Sequence, residues 1–144
     1  MPSGRRSARR QAVFILYQED LLHLSAQAAL DRTHDSAVDP YTEALVRGVS
    51  EHLGEIDPLL DGHLEGWEIG RLGSLERSIL RLAAYELVYE ADIPAAVVID
   101  QAVESAKRFC SDEAGALVNG VLGALAASAK PAAAEAALEL EERE

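Results

Sequence analysis

The sequence predicts an all-helical fold, and three observations carry that expectation. Apolar residues recur with a period near 3.6 in several long stretches. No useful length of chain alternates apolar and polar residues as a half-buried strand would. Aromatics are only 5% of a chain that is 49% hydrophobic, so the core must be built mostly from Leu, Val, Ile and Ala, a mix that favours helices. The length of 144 residues supports one domain or two closely packed halves.

The densest periodicity runs from Ser74 to Ala127. A first helix is expected from Leu75 to Glu90, with Leu75, Ile79, Leu82, Ala83, Leu87 and Val88 filling more than one side, as in a central helix. Asp92-Ile93-Pro94 stops it and starts the next, because proline disfavours helix at the residue before it and suits the first turn after it. The second helix turns Val98, Ile99, Ala102, Val103, Ala106 and Phe109 inward. Cys110-Ser111 is the next break, with Ser111 a suitable N-cap. The third helix buries Leu117, Val118, Val121, Leu122 and Leu125. Gly120 and Gly123 are read as permitting close helix contact, while Gly115 is open between that role and a backbone surface offered to a ligand.

Earlier in the chain, Met1 to Gly4 is expected to be mobile, and a helix to begin near Arg5 with Ala12, Val13, Leu16 and Tyr17 near one face. A loop with a short helix is expected between Leu24 and Val38. Asp39-Pro40 and Asp57-Pro58 both read as helix starts. Trp67, beside the loop Gly70-Arg71-Leu72-Gly73, reads as a lid on the core rather than a base-stacking ring. Lys130-Pro131 is expected to break the last helix, leaving an acidic Ala/Glu tail over 130–144 as a frayed helix or a disordered segment. The coarse count is six main helices.

Charge is more informative in its distribution than in its sum. A net charge of −12 argues against whole-molecule attraction to nucleic acid, yet Arg5, Arg6, Arg9 and Arg10 cluster at the start. Such a cluster is either a solvated helix start or a phosphate-binding patch, and cations near a helix N-terminus disfavour the helix itself. A second basic spot, Lys107-Arg108-Phe109, ends one helix just before Ser111 opens another. Cations, a ring and helix N–H groups in one corner can hold phosphates and unpaired bases. The same residues can equally be a core ring with two cations stabilising a helix C-terminus. Glu104 and Arg108, at i,i+4, suit an ion pair.

No catalytic constellation is present. His23, His34, His52 and His63 are dispersed and make no HExxH pair, so no metal or cofactor is expected. Gly115 to Gly120 is followed by Val121-Leu122 where a phosphate loop needs Lys and Ser or Thr. The lone cysteine, Cys110, rules out an intramolecular disulfide, fits a reducing cytoplasm, and reads as a small semi-buried side chain. No apolar run is long enough to span a membrane.

Several ordered pieces resemble the NusB family of bacterial transcription antitermination factors: Leu75-Glu76-Arg77-Ser78-Ile79-Leu80-Arg81-Leu82, Tyr85-Glu86-Leu87, Asp92-Ile93-Pro94, Asp100-Gln101-Ala102-Val103-Glu104, Ala106-Lys107-Arg108-Phe109 and Val118-Asn119-Gly120-Val121-Leu122. The resemblance implies two packed three-helix bundles, at about 5–66 and 74–127, within a unit spanning 1–129. It implies a non-enzymatic, cytoplasmic RNA-binding adaptor that binds boxA of nascent ribosomal RNA transcripts together with NusE, a small-subunit ribosomal protein. That pair would join the other Nus factors on RNA polymerase. RNA contact maps onto Arg5, Arg6, Arg9, Arg10, Lys107, Arg108 and Phe109, and partner contact onto Tyr17, Glu76 and Glu113. Asn119 is expected to serve packing first. Cys110 stands where the family commonly has glycine, and Ser7-Ala8 breaks the arginine run. Two other readings stand beside this one: the helical domain of a ribosomal RNA cytosine methyltransferase, which needs a long α/β domain after it, and a purely protein-binding scaffold. Monomer and homodimer are both open.

Overall fold

A computed structural model describes the backbone of residues 2–33, 38–66, 68–90 and 92–143, and side chains within 5–128 of those ranges. The expectations for Met1, His34 and Trp67, and for the side chains of the tail, lie outside the described residues. The described residues form helices α1 (Pro2–Leu22), α2 (Ala26–Asp31), α3 (Pro40–Glu51), α4 (Leu53–Asp61), α5 (Ser74–Tyr89), α6 (Ala95–Phe109) and α7 (Asp112–Arg143), with one 3-10 turn at Ile69–Arg71. Among the described residues there is no strand.

The start signals are built as the sequence suggests at two places: Asp39 caps α3 by accepting from the Tyr41 N–H at 2.7 Å, and Ser111 accepts from the Ala114 N–H at 3.0 Å. The short helix α2 is capped by Ser25, which accepts from the Ala28 N–H at 3.1 Å. Four expectations are corrected. Helix α1 starts at Pro2 rather than Arg5, so Arg5 ends the first turn and Arg6, Arg9 and Arg10 stand beyond it, where the helix dipole has largely fallen off. Helix α4 starts at Leu53, with Pro58 inside it; one backbone hydrogen bond is lost there while Asp57 is clamped by Arg81. Helix α7 runs through Pro131 to Arg143, carried by the strong helix propensity of its Ala and Glu residues. Gly120 and Gly123 are exposed, and a Cβ at either would meet nothing, so neither serves helix contact.

Helix α5 is the hub and touches α1, α3, α4, α6 and α7. Ile79, Leu80, Leu82, Ala83 and Ala84 are all buried along it, joined to a single core with Leu45, Val46 and Val49 of α3 and Val118, Leu122 and Leu125 of α7. Leu80 is fully enclosed, and truncating such a side chain to Ala costs about 2–5 kcal/mol. Gly48 is required by close approach, because any Cβ there would collide with the Tyr85 ring.

Candidate nucleic-acid interface

The N-terminal half of α1 lies along α5 and α6, and a groove forms between them. Arg6, Arg10, Glu104, Arg108 and Phe109 line its rim, with Val13, Leu82 and Val98 deeper in. Phe14 of α1 packs edge-on against Phe109 of α6, with ring centroids 5.1 Å apart. That contact fixes the end of α6 against α1. Two guanidiniums approach the Phe109 ring, Arg108 at 5.4 Å and Arg10 at 5.9 Å from its centroid. Both distances are within cation–π range. Phe109 is therefore half-buried beneath arginines rather than a bare platform, and the planar guanidiniums above it are the surface on which a base can stack.

The four N-terminal arginines do not form one exposed patch. Arg9 is 7% exposed and overturns the expectation that it lies outside. Its Nε donates to both oxygens of Glu86, at 2.8 and 3.0 Å, and its Nη1 donates to Gln101 at 2.8 Å. Arg9 falls on the apolar stripe with Ala12, Val13 and Leu16, which carries it into the fold. Burial pushes the Glu86 carboxyl above its ordinary range, and the Arg9 and Tyr41 hydrogen bonds oppose that rise. Burial and the Glu86 charge push the Tyr41 phenol up to about 12. The Arg9 knot ties α1 to α5 and α6 beneath the groove.

Arg5, Arg6 and Arg10 remain on the outside to differing degrees. Arg5 is exposed and stands 5.0 Å over the Tyr41 ring. Arg6 pairs with Glu104 across the groove at 3.2 Å, so Glu104 pairs with α1 rather than with Arg108 of its own helix. This exposed pair is worth at most about 1 kcal/mol. Arg108 and Lys107 are both exposed, but they diverge. Arg108 leans over Phe109, whereas the Lys107 stem lies where a Gly115 side chain would be. Gly115 thus admits a lysine stem, which decides its role in favour of packing.

Of the residues expected to meet a protein partner, Glu76 and Glu113 lie toward the corner where α6 hands over to α7. Tyr17 is half-buried one turn beyond Phe14. Glu76 is half-buried in the first turn of α5, and its charge, after burial, helps to push the Cys110 thiol up. A raised thiol pKa disfavours the thiolate and with it any nucleophilic role. Glu113 is exposed in the first turn of α7, where a carboxylate suits the helix dipole. Phe14, Gln101 and Glu86 were missed as builders of this region. The spacing of Phe14 from Arg10, one turn apart, was the available signal for the first.

The described residues form an all-helical protein with a cationic, ring-bearing groove between α1 and α6, a surface of the class that can hold a nucleic acid. The NusB family model matches residues 6–127. The transcription antitermination protein NusB of Bacillus velezensis is 44% identical over 119 residues, covering 82% of this chain and 92% of that protein. Among solved structures, NusB of T. maritima superposes with a TM-score of 0.77 at 36% identity, over 85% of this chain and 89% of that one. A structure of antitermination factors NusB and NusE in complex with dsRNA matches with a TM-score of 0.79 at 29% identity, over 89% of this chain and 99% of that one. The chain belongs to the NusB family, whose matched relatives are transcription antitermination proteins.

Proposed function

We propose that this protein is a non-enzymatic, cytoplasmic antitermination factor that binds boxA RNA of nascent ribosomal RNA transcripts together with NusE, and joins the other Nus factors on RNA polymerase. The observation that carries the reading is the rim of the α1–α6 groove, where Arg10 and Arg108 stand over Phe109 and Arg6 lines the same groove, on a protein of net charge −12. A cationic rim on an otherwise acidic molecule confines phosphate contact to one place. Arginine planes over Phe109 supply stacking for unpaired bases, and Arg5 and Lys107 extend the cationic edge. Arg9 contributes by holding the groove floor rather than by meeting RNA.

In this reading Tyr17, Glu76 and Glu113 meet NusE. The working unit is residues 1–129, halves 5–66 and 74–127 acting together, and 130–144 is an acidic extension. The solved NusB–NusE–dsRNA relative supports the pairing of RNA and NusE surfaces on one such fold. The deciding experiment titrates boxA RNA into the protein with and without NusE. Binding that tightens with NusE and weakens steeply with salt supports the proposal; RNA affinity indifferent to both sinks it, and NusE binding without any RNA binding would leave a protein-binding scaffold. Glu76→Lys is expected to weaken NusE association by about 2 kcal/mol with little change in melting, as for a desolvated interface charge. A lowered melting temperature with normal NusE affinity would reduce Glu76 to a helix-start residue.

A further inference from the structure

Away from the α1–α6 groove, three rings gather where α3 passes into α4 against the end of α5. Tyr85 and Tyr89, one turn apart on α5, stack with centroids 5.3 Å apart. His52 lies 4.2 Å from the Tyr89 ring and 5.9 Å from the Tyr85 ring. Each ring is held in place. Tyr85 lies against Gly48, where no side chain would fit between them. The His52 Nδ1–H donates to the Gly48 carbonyl at 2.8 Å, since a carbonyl can only accept. The Tyr89 hydroxyl donates to Glu55. That hydrogen bond, with burial and the Glu55 charge, pushes the Tyr89 phenol up to about 12, so the ring stays neutral. Tyr89 is nevertheless 38% exposed and stays outside the core that Tyr85 borders. A ring fixed in position and left in water is a built contact surface.

The charges around it select the partner. Burial raises the Tyr85 phenol, and the charges of Glu90, Glu51 and Glu86 raise it further, so three carboxylates converge on this ring. Glu86 is held by Arg9. Glu51 is exposed and Glu90 half-buried, and among the described residues no hydrogen bond or ion pair engages either carboxylate. Cations on neighbouring turns are committed elsewhere. Arg81, one turn before Tyr85, is bound by Asp20 and Asp57. Arg47, one turn before Glu51, is turned to Glu43 and Gln27. Arg5 stands over the Tyr41 ring instead of pairing with Glu90. The face therefore joins ring surface to unneutralised negative charge, a field that repels phosphate and attracts a cation.

We propose that the His52–Tyr85–Tyr89 face docks an arginine side chain from a basic segment of a protein partner, with the guanidinium flat on Tyr89 and its donors toward Glu51 and Glu90. A guanidinium is planar enough to stack on a ring while its edge donates to carboxylates; an ammonium offers only a point charge. None of these rings and neither carboxylate lines the α1–α6 groove, so the proposal stands whether or not that groove binds RNA.

The test is an NMR titration of the full chain at low salt with acetyl-Gly-Arg-Gly-amide and with its lysine and citrulline counterparts. The arginine peptide is expected to shift the ring protons of Tyr85 and Tyr89 and the amides of 51–55 and 89–90. The citrulline peptide, of the same shape without the charge, is expected to leave them in place, and the lysine peptide to bind more weakly. Tyr89→Ala is expected to weaken the arginine peptide about threefold, the scale of one exposed cation–π contact. Glu51→Gln combined with Glu90→Gln is expected to weaken it by about threefold or more, and serves as the second check should Tyr89→Ala fail to fold. The proposal is overturned if the arginine peptide shifts none of these signals, if the citrulline or lysine peptide matches it, or if either folded variant binds it as the wild type does. It is also overturned if a uridine heptamer shifts the tyrosine rings more than the peptide does, which would make the face a base platform. Movement of the same signals on diluting the protein alone, with no effect of the peptide, would give the face to a second copy of this chain instead.

Discussion

Two arginine clusters in this protein meet opposite fates. At one end of α5, Arg77 and Arg81 are enclosed by carboxylates and carbonyls. Asp20 holds both, Asp57 holds Arg81, and the carbonyls of Ile69, Gly70 and Leu72 accept from Arg77. Along the α1–α6 groove, Arg6 has one exposed partner and Arg10 and Arg108 lean on a ring. The first cluster latches α1 and α4 onto α5. The second keeps donors turned to solvent, where phosphates can reach them. An arginine's function here follows from whether the fold satisfies its donors, and Arg9 shows that the boundary can fall inside a single run: Arg9 is locked to Glu86 while its neighbour Arg10 is not.

The largest expected effect therefore lies at that boundary. Arg9→Ala strands the buried Glu86 carboxylate, and breaking such a pair costs about 3–5 kcal/mol. Denaturant unfolding at neutral pH measures it. A loss below about 1 kcal/mol, the range of an exposed pair, would place Arg9 with the rim arginines instead.

At the latch, Asp20→Asn removes one carboxylate from two arginines and is expected to cost about 2–3 kcal/mol at neutral pH, somewhat less than the fully enclosed pair. Its pH dependence has a definite sign. Burial raises the Asp20 carboxyl, but the hydrogen bonds from Arg77, Ser74 and Arg81 outweigh it and leave the pKa below the ordinary 3.8. A lowered folded pKa contributes stability that is full above the unfolded pKa and is lost as pH falls through the folded one. The gap between wild type and Asp20→Asn should close below pH 3.8 in acid titrations of unfolding. A gap that persists unchanged into strong acid would remove the charge from the account.

The smallest expected change in stability belongs to the rim. Arg108→Ala is expected to stay within about 0.5 kcal/mol of wild type in unfolding, since Arg108 is exposed. RNA affinity should fall while folding does not, and a large drop in melting temperature would make Arg108 a structural residue like Arg77.

Much of the fold was legible because helix period and capping are local. The period placed α5, α6 and the buried face of α7, and Asp39 and Ser111 cap the helices they precede. Proline was the poorest guide. Pro58 and Pro131 read as boundaries, yet both lie inside helices, where neighbouring propensity and packing outweigh one missing hydrogen bond. The candidate site was legible as a composition, four arginines near one end and Lys107-Arg108-Phe109 near the other. Its internal division was not, because it depends on Glu86, 77 positions from Arg9, and on Glu104, 98 positions from Arg6. Gly120 and Gly123 misled for the same reason: glycine reports room for contact, but only the packed neighbours decide whether contact occurs.

The division between locked and open arginines is tested most directly by the salt dependence of boxA RNA binding, measured for the wild type and for a combined Arg6→Ala, Arg10→Ala, Arg108→Ala protein, beside a melt of each. Three lost phosphate contacts to single-stranded RNA should flatten the slope of log affinity against log salt by about 2, with melting close to wild type. An unchanged slope, or a slope that flattens only because the triple variant has unfolded, would contradict the assignment of these three side chains to phosphate.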